Sequence, residues 1–426
     1  MKYEEVFCDI EKPLNLKTAQ IESSRCYYCY DAPCITACPT GIDIPSFVRK
    51  ISNGNVKGAA LDILSANVMG GTCARACPVE TLCQEACVRE KSEKKPVAIG
   101  QLQRFATDEY FKTGEQAFTR APTNGIKIAV VGAGPAGLSC AHHLARLGYD
   151  ITIFESRAKA GGLNEFGLAP YKLTNEFAQQ EVNYILSIGG ITIEYGKSLG
   201  KEITLDDLRG KFSAVFLGVG LGGNNSLGIP GEESKMVIDA TRMIEKIRQT
   251  KDLSKIPVPK NVIVIGGGNT SVDIAIQMKK LGSEFVTIAY RRGRTEMGAT
   301  HHEQELALTH GVQLLNWVKP VKIEADSMQF EYTQVESGKL LGTGKMITLK
   351  AEAIYKAIGQ TLVSSEKVSL KNGKISVNEK FETSLSGVYA GGDCTGVGED
   401  LTVTAVQHGK LAARSIHEKL GARKHG

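Results

Sequence analysis

The chain has 426 residues, a formal net charge of +5 and 42% hydrophobic residues. That length provides for two or three domains with sizeable cores, and so mild a charge gives no footing for nucleic-acid binding. No apolar run is long enough to span a bilayer. The polar opening Met1-Lys-Tyr-Glu-Glu-Val carries no signal-peptide pattern, so the expected compartment is the cytoplasm. Eight of the eleven cysteines lie between Cys26 and Cys87. In a reducing compartment such crowding reads as metal ligation rather than disulfides.

Residues 1–120 hold no strand-like run, and segments such as Ile44 to Ile51 and Lys57 to Ala66 suit helices. The cysteines run Cys26-x2-Cys29-x4-Cys34-x3-Cys38-Pro39, then Cys73-x3-Cys77-Pro78-x4-Cys83-x3-Cys87. The first block resembles the bacterial ferredoxin run, whose fourth cysteine, before a proline, serves the other cluster. Two such blocks suggest two [4Fe–4S] clusters. Zinc sites favour paired C-x2-C units, often with histidine, and no histidine occurs here before His142.

Residues 114–125 are polar, carry Pro122 and Gly125, and read as a linker. The apolar run from Lys127 then enters Gly132-Ala133-Gly134-Pro135-Ala136-Gly137, a helix is expected from Leu138 to Leu147, and a second run ends in Glu155. Strand, G-x-G-x-x-G turn, helix, strand and acid together make a dinucleotide fingerprint. The glycines allow the tight turn, the helix N-terminus takes the pyrophosphate and the acid takes a ribose hydroxyl. A second fingerprint begins at Val262 and contains Gly266, Gly267, Gly268, Asn269 and Thr270, with Ser271 at the third glycine place. Its following strand ends in Arg291-Arg292 rather than an acid, which leans towards the 2′-phosphate of NADP over NAD without deciding it. Cys140 and Cys394 belong to no C-x-x-C pair and read as packed thiols, and His301-His302 reads as helix surface.

Three segments carry a family resemblance: Ser24-Arg-Cys-Tyr-Tyr-Cys-Tyr-Asp-Ala-Pro-Cys34, Gly71-Thr-Cys-Ala-Arg-Ala-Cys-Pro78, and Pro96 through Phe105. They look like the N-terminal domain of dihydropyrimidine dehydrogenases, and nearest to the flavin-bearing subunit of the bacterial two-subunit enzyme. The resemblance implies one cluster on Cys26, Cys29, Cys34 and Cys87. It implies a second on Cys38, Cys77, Cys83 and Gln103, the last standing sixteen residues after Cys87, with Cys73 unligated near a cluster. Glutamate synthase small subunits are similar here but tend to carry glutamate at the place of Gln103.

The resemblance also implies FAD on the first fingerprint, with Gly162 and Leu163 in a second flavin loop. Lys172 is there either a cofactor-side lysine or a solvated one. Gly392-Asp393 resembles the glutathione-reductase-type motif at the flavin ribityl chain, and the helix near Thr402 and Val403 is expected to point at the flavin ring. NAD(P)H would occupy the second fingerprint. The expected architecture is α/β: an N-terminal α-helical double [4Fe–4S] domain over residues 1–120, then two Rossmann-like domains of the glutathione-reductase type. The FAD domain would be discontinuous, 121–232 and 358–426, and the NAD(P) domain would span 233–357.

The implied function is electron input: NAD(P)H reduces FAD, and electrons pass through the clusters to an FMN-containing catalytic subunit that reduces uracil or thymine. The chain would then be part of a hetero-oligomer. A glutamate synthase small subunit, a general reductase of ferredoxin-like carriers and an iron–sulfur redox sensor are the alternatives.

Overall fold

The computed structural model describes residues 3–364 and 366–422, which form two compact units. One comprises residues 11–165, 175–222 and 361–422, and the other residues 3–10, 166–174 and 223–360.

The cysteine-rich part of the first unit is helix and loop. Asp43 caps the helix Ile44–Ser52 by accepting from the Ser46 amide at 3.0 Å, with proline in its first turn. Its buried residues Ile44, Phe47, Val48 and Ile51 follow the spacing of a single helical face. Helices Val56–Ala66 and Ile99–Phe111 pack with it, and Gly70–Ala76 packs on Ile99–Phe111.

A five-stranded parallel sheet completes this unit, in the order Val388–Ala390, Ala214–Leu217, Lys127–Val131, Asp150–Glu155, Ile191–Tyr195. Ile128 to Val131 are all buried, as a central strand covered on both faces requires. One continuous apolar cluster runs from Phe47, Ile63 and Leu102 among the helices to Ile128, Leu138 and Ile416 around the sheet. The cysteine-rich helices and the first dinucleotide fold therefore share a core.

The second unit has its own parallel sheet, ordered Val237–Asp239, Ala353–Lys356, Asn261–Ile265, Phe285–Tyr290, Gln313–Asn316. A three-stranded antiparallel sheet, Val318–Ile323, Ser327–Glu336 and Lys339–Lys350, is added to it. That sheet buries Met328 and Phe330 from one face of its middle strand, and the motif reading passed over it. Phe7 and Tyr171 are buried in this unit's core, and the Ile10 amide donates to the Tyr171 carbonyl at 3.1 Å.

In the first unit the C-terminal helix Thr402–Ala422 lies along the helix Pro135–Arg146, and the closest approach is at Gly409. A Cβ there would stand 2.2 Å from the Ala136 carbonyl oxygen and 2.9 Å from the Cys140 nitrogen. Gly409→Ala is therefore expected to force the helices apart and cost about 1–3 kcal/mol, the usual range for overpacking. Chemical denaturation of the two proteins measures it, and equal midpoints would contradict this packing.

Candidate dinucleotide and iron–sulfur sites

In the first unit, strand Lys127–Val131 ends at Gly132, whose φ of +97° favours glycine. A Cβ at Gly132 would also lie 2.4 Å from the Gly218 carbonyl oxygen. Gly134 then begins the helix Pro135–Arg146 with no side-chain cap, so its first amides remain available to an anion. The Glu155 carboxylate accepts from the Ala133 amide and from the Arg157 amide, each at 2.8 Å, and so braces the turn.

Two further segments close on this turn. The Gly161 amide donates to the Ala133 carbonyl at 2.8 Å, and a Cβ at Gly162 would meet the Gly134 Cα at 2.7 Å. Gly392 lies against the Ala136 side chain, followed by Asp393, whose carboxyl burial and the Asp400 charge push up to about 6. Thr402 Oγ1 donates to Asn164 Oδ1 at 3.0 Å, tying the C-terminal helix to the segment after Leu163. The fold thus assembles Gly132 to Gly137, Glu155, Gly162, Leu163, Gly392, Asp393, Thr402 and Val403 from three distant stretches of chain. A cradle that added side-chain carbon would fill fits an extended dinucleotide such as FAD.

The cysteines form two groups. Cys26, Cys29, Cys34 and Cys87 line one cavity, beside Ile44, Val48 and Val97. Cys38, Cys77 and Cys83 line another, together with Cys73, Gln103 and Val403. Among the described residues no three His, Cys, Asp or Glu side chains are placed to hold one metal ion. Thiols spread around the lining of one cavity instead suit a cubane, whose irons stand at separate corners. Burial pushes Cys34 up to about 12, with Cys26 and Cys87 adding like charge. Burial pushes Cys83 up to about 12 as well, with Cys38 and Cys34 adding to it. Such thiols ionise only against a metal, and binding would release their protons.

Gln103 is 7% exposed, and its Nε2 donates to the Gly70 carbonyl at 2.7 Å. Only the amide nitrogen can donate, so this bond leaves Oε1 as the acceptor on offer to the cavity. Cys73 lies at the same cavity, and the pKa of Cys77 is raised first by its interaction with Cys73 and next by burial.

The helix Gly70–Ala76 carries this corner and is pinned from outside. Glu181, on helix Phe177–Leu186, accepts from the Gly71 and Thr72 amides at 3.0 and 3.1 Å and from Thr72 Oγ1 at 2.5 Å. Burial outweighs those bonds and pushes the Glu181 carboxyl up to about 7. Arg75 pairs with Asp108 at 2.7 Å and lies 3.9 Å above the Phe177 ring. On the other side, Lys410 Nζ donates to the Thr40 and Ala66 carbonyls at 3.0 and 2.8 Å, and burial brings its pKa down to about 8. Sequence reasoning missed Glu181 and Lys410, because a single charged residue on a helix reads as surface.

In the second unit, strand Asn261–Ile265 ends at Gly266, and Gly268 begins the helix Asn269–Leu281 without a side-chain cap. Gly267 lies under the Tyr290 ring, which a Cβ would meet at 2.6 Å. Asn269 Oδ1 and Ser271 Oγ are buried with no hydrogen-bond partner, orphans of the kind a bound dinucleotide would answer. Arg292 is paired with Glu296 at 3.1 Å and Arg294 with Glu305, whereas Arg291 is exposed. Lys172 is not solvated. It is paired with Asp273 at 2.8 Å and Glu303 at 2.5 Å, and although burial opposes its charge, these carboxylates hold its pKa above the ordinary lysine range.

Residues 126–409 match the family described as pyridine nucleotide-disulphide oxidoreductase, and residues 3–115 the family described as dihydropyrimidine dehydrogenase domain II, 4Fe-4S cluster. The NAD-dependent dihydropyrimidine dehydrogenase subunit PreT of Escherichia coli O157:H7 is 35% identical over 400 residues, covering 94% of this chain and 93% of that protein. Its counterpart from Salmonella typhimurium strain LT2 is 34% identical over 401 residues, covering 94% of each. Among solved structures, Mycobacterium tuberculosis FprA in complex with NADPH superposes with a TM-score of 0.61 at 18% identity, covering 72% of this chain and 86% of that one. The thioredoxin reductase of T. acidophilum gives 0.55 at 21%, covering 69% of this chain and 98% of that one. These two likenesses are of fold. Among the described residues no helix is long and apolar enough to cross a membrane.

His408 supplies a pH dependence. Its Nδ1 accepts from the Gly392 amide at 3.1 Å, and burial brings its pKa down to about 4. The unfolded chain takes up this proton near the ordinary histidine value of about 6.5 while the folded chain does not. Stability is therefore expected to fall as pH drops from about 6.5 towards 4, with FAD retention falling alongside, and to be unaffected by this group above that window. Thermal melts of wild type and His408→Asn between pH 7.5 and 5 (about that range) measure it. A parallel pH slope in the two proteins would contradict it.

Proposed function

The chain belongs to the pyridine nucleotide-disulphide oxidoreductase family and, along nearly its whole length, to the NAD-dependent dihydropyrimidine dehydrogenase subunits, and we propose that it feeds electrons from NADH to a partner that reduces uracil or thymine. The observation that carries this reading is the composition of the first unit. Its dinucleotide cradle and both cysteine cavities share one core, and Val403 of the cradle's C-terminal helix also lines the Gln103 cavity. When bound, nicotinamide supplies hydride, FAD exchanges two electrons for one at a time, and [4Fe–4S] clusters carry single electrons.

The chain's own residues bind and orient. Gly132, Ala133 and Pro135 shape the turn, the amides of Gly134, Ala136 and Gly137 at the start of the helix would receive the FAD pyrophosphate, Glu155 takes a ribose hydroxyl while bracing the turn, and Gly162 and Leu163 flank the cofactor. Asp393 meets the ribityl chain, and Thr402 and Val403 present a helix N-terminus to the flavin ring. Cys26, Cys29, Cys34 and Cys87 hold one cluster, and Cys38, Cys77, Cys83 and Gln103 the other. Gly266 to Thr270 receive the nicotinamide dinucleotide. Lys172 orders its own unit through Asp273 and Glu303. No side chain is needed as an acid or base.

NADH is favoured over NADPH. Arg292 and Arg294 already answer Glu296 and Glu305, which leaves Arg291 alone to meet a 2′-phosphate, and the relatives are named NAD-dependent. Those relatives are also named as subunits, and we assign the partner an FMN-containing catalytic chain.

Anaerobic assay of the chain with its co-expressed partner tests the reading: NADH oxidation is expected to depend on uracil and to exceed that of NADPH. Turnover with 2-oxoglutarate and glutamine instead would move the chain to the glutamate synthase small subunits. For the second cluster, Gln103→Ala is expected to lose about half of the iron, as two cubanes per chain require, while Cys73→Ala retains it. The opposite pattern would make Cys73 the ligand.

A further inference from the structure

Lys410 is a buried charge in the first unit that the binding roles above leave unused. It lies in the C-terminal helix, 5% exposed, and no ion pair to it is found among the described residues. Its ammonium has three protons to donate and finds two carbonyls, those of Thr40 and Ala66. A buried ammonium without a carboxylate is costly unless some other negative charge stands near it.

The surroundings say where that charge would be. Thr40 follows Cys38-Pro39, and its Oγ1 lies 3.3 Å from Cys38 Sγ. Cys38, Pro39 and Ile42 line the Gln103 cavity, and Asn67 does too, so both carbonyls that accept from Lys410 belong to residues next in the chain to that cavity's wall. Val403, which lines the same cavity, stands seven residues before Lys410 on one stripe of the helix. The other cavity differs. The cation at its edge, Arg89, is answered by Glu93.

We propose that Lys410 is the fixed positive charge that raises the reduction potential of the cluster held by Cys38, Cys77, Cys83 and Gln103, making it the more easily reduced of the two. This rests on the ligand assignment made above. Reduction adds one electron and one negative charge, and a cation held in a low-dielectric interior stabilises the reduced form more than the oxidised one. Gln103 acts in the same direction, since a neutral amide in place of a thiolate leaves that cluster with one negative charge fewer. Lys410 is not a ligand; it acts through space across the Thr40–Pro39 wall.

The test is a redox titration of the purified holoprotein followed by electron paramagnetic resonance, comparing wild type with Lys410→Met, Lys410→Gln and Lys410→Arg. The neutral variants are expected to shift the reduction equilibrium of one cluster at least tenfold towards the oxidised form, about 59 mV for a one-electron couple. Lys410→Arg keeps the charge and is expected to stay near wild type. Unchanged potentials in a neutral variant with full iron would overturn the proposal, as would an equal shift in Lys410→Arg. Loss of the cluster in both neutral variants, with flavin and fold retained, would also overturn it by making Lys410 a structural cap. Wild type itself guards the premise: iron and acid-labile sulfide well short of two cubanes per chain there would sink the ligand assignment, independently of any variant.

Discussion

Continuous apolar packing between the cysteine-rich helices and the first dinucleotide fold is the constraint on which the rest depends. Phe47, Ile63, Leu102, Ile128, Leu138 and Ile416 belong to one cluster, so the helices are not an appendage on a tether. Packing at interior density transmits position. The C-terminal helix can therefore serve two sites: its first residues close on the phosphate turn through Asn164, while Val403 and Lys410 reach the Gln103 cavity and its wall. Electron transfer between prosthetic groups needs fixed separation more than it needs acid–base chemistry, and a shared core supplies it.

Around that core the polar groups divide the work. Glu181 spends its carboxylate on the first amides of Gly70–Ala76, a helix that presents Cys73 at one point and the Gly70 carbonyl, partner of Gln103, at another. The orientation of a single amide thus depends on a helix anchored by a different segment of chain. His408 holds the Gly392 turn by remaining neutral, and burial is what keeps it neutral. In the second unit, Lys172 is compensated twice over, by Asp273 and Glu303. Among the described residues no carboxylate pairs with Lys410, and that contrast makes it informative.

Much of the architecture was legible in the sequence because its signals are local. A strand, a glycine turn and a helix within a dozen residues announce a parallel dinucleotide fold, and both such folds are present. The α/β class with a helical iron–sulfur segment was legible for the same reason, since cysteine spacing is itself a local property. The antiparallel sheet between Val318 and Lys350 was not, because its buried residues Met328 and Phe330 alternate for only a few positions. Nor was the burial of Phe7 beside Tyr171, which joins chain segments more than 150 residues apart. The surroundings of Lys172, Glu181 and Lys410 are contacts of the same long-range kind. Spacing could nominate Gln103 only through a family resemblance; its bond to Gly70 required the fold.

The most direct measurement compares flavin reduction with pyrimidine reduction in the assembled enzyme carrying Cys34→Ala, which removes one thiol from the all-cysteine cavity. NADH should still bleach the flavin, because that step uses no cluster, while uracil reduction should be lost. Uracil reduction at the unmodified rate, in a protein verified to lack that cluster, would show that electrons leave the flavin by another route and would contradict the account.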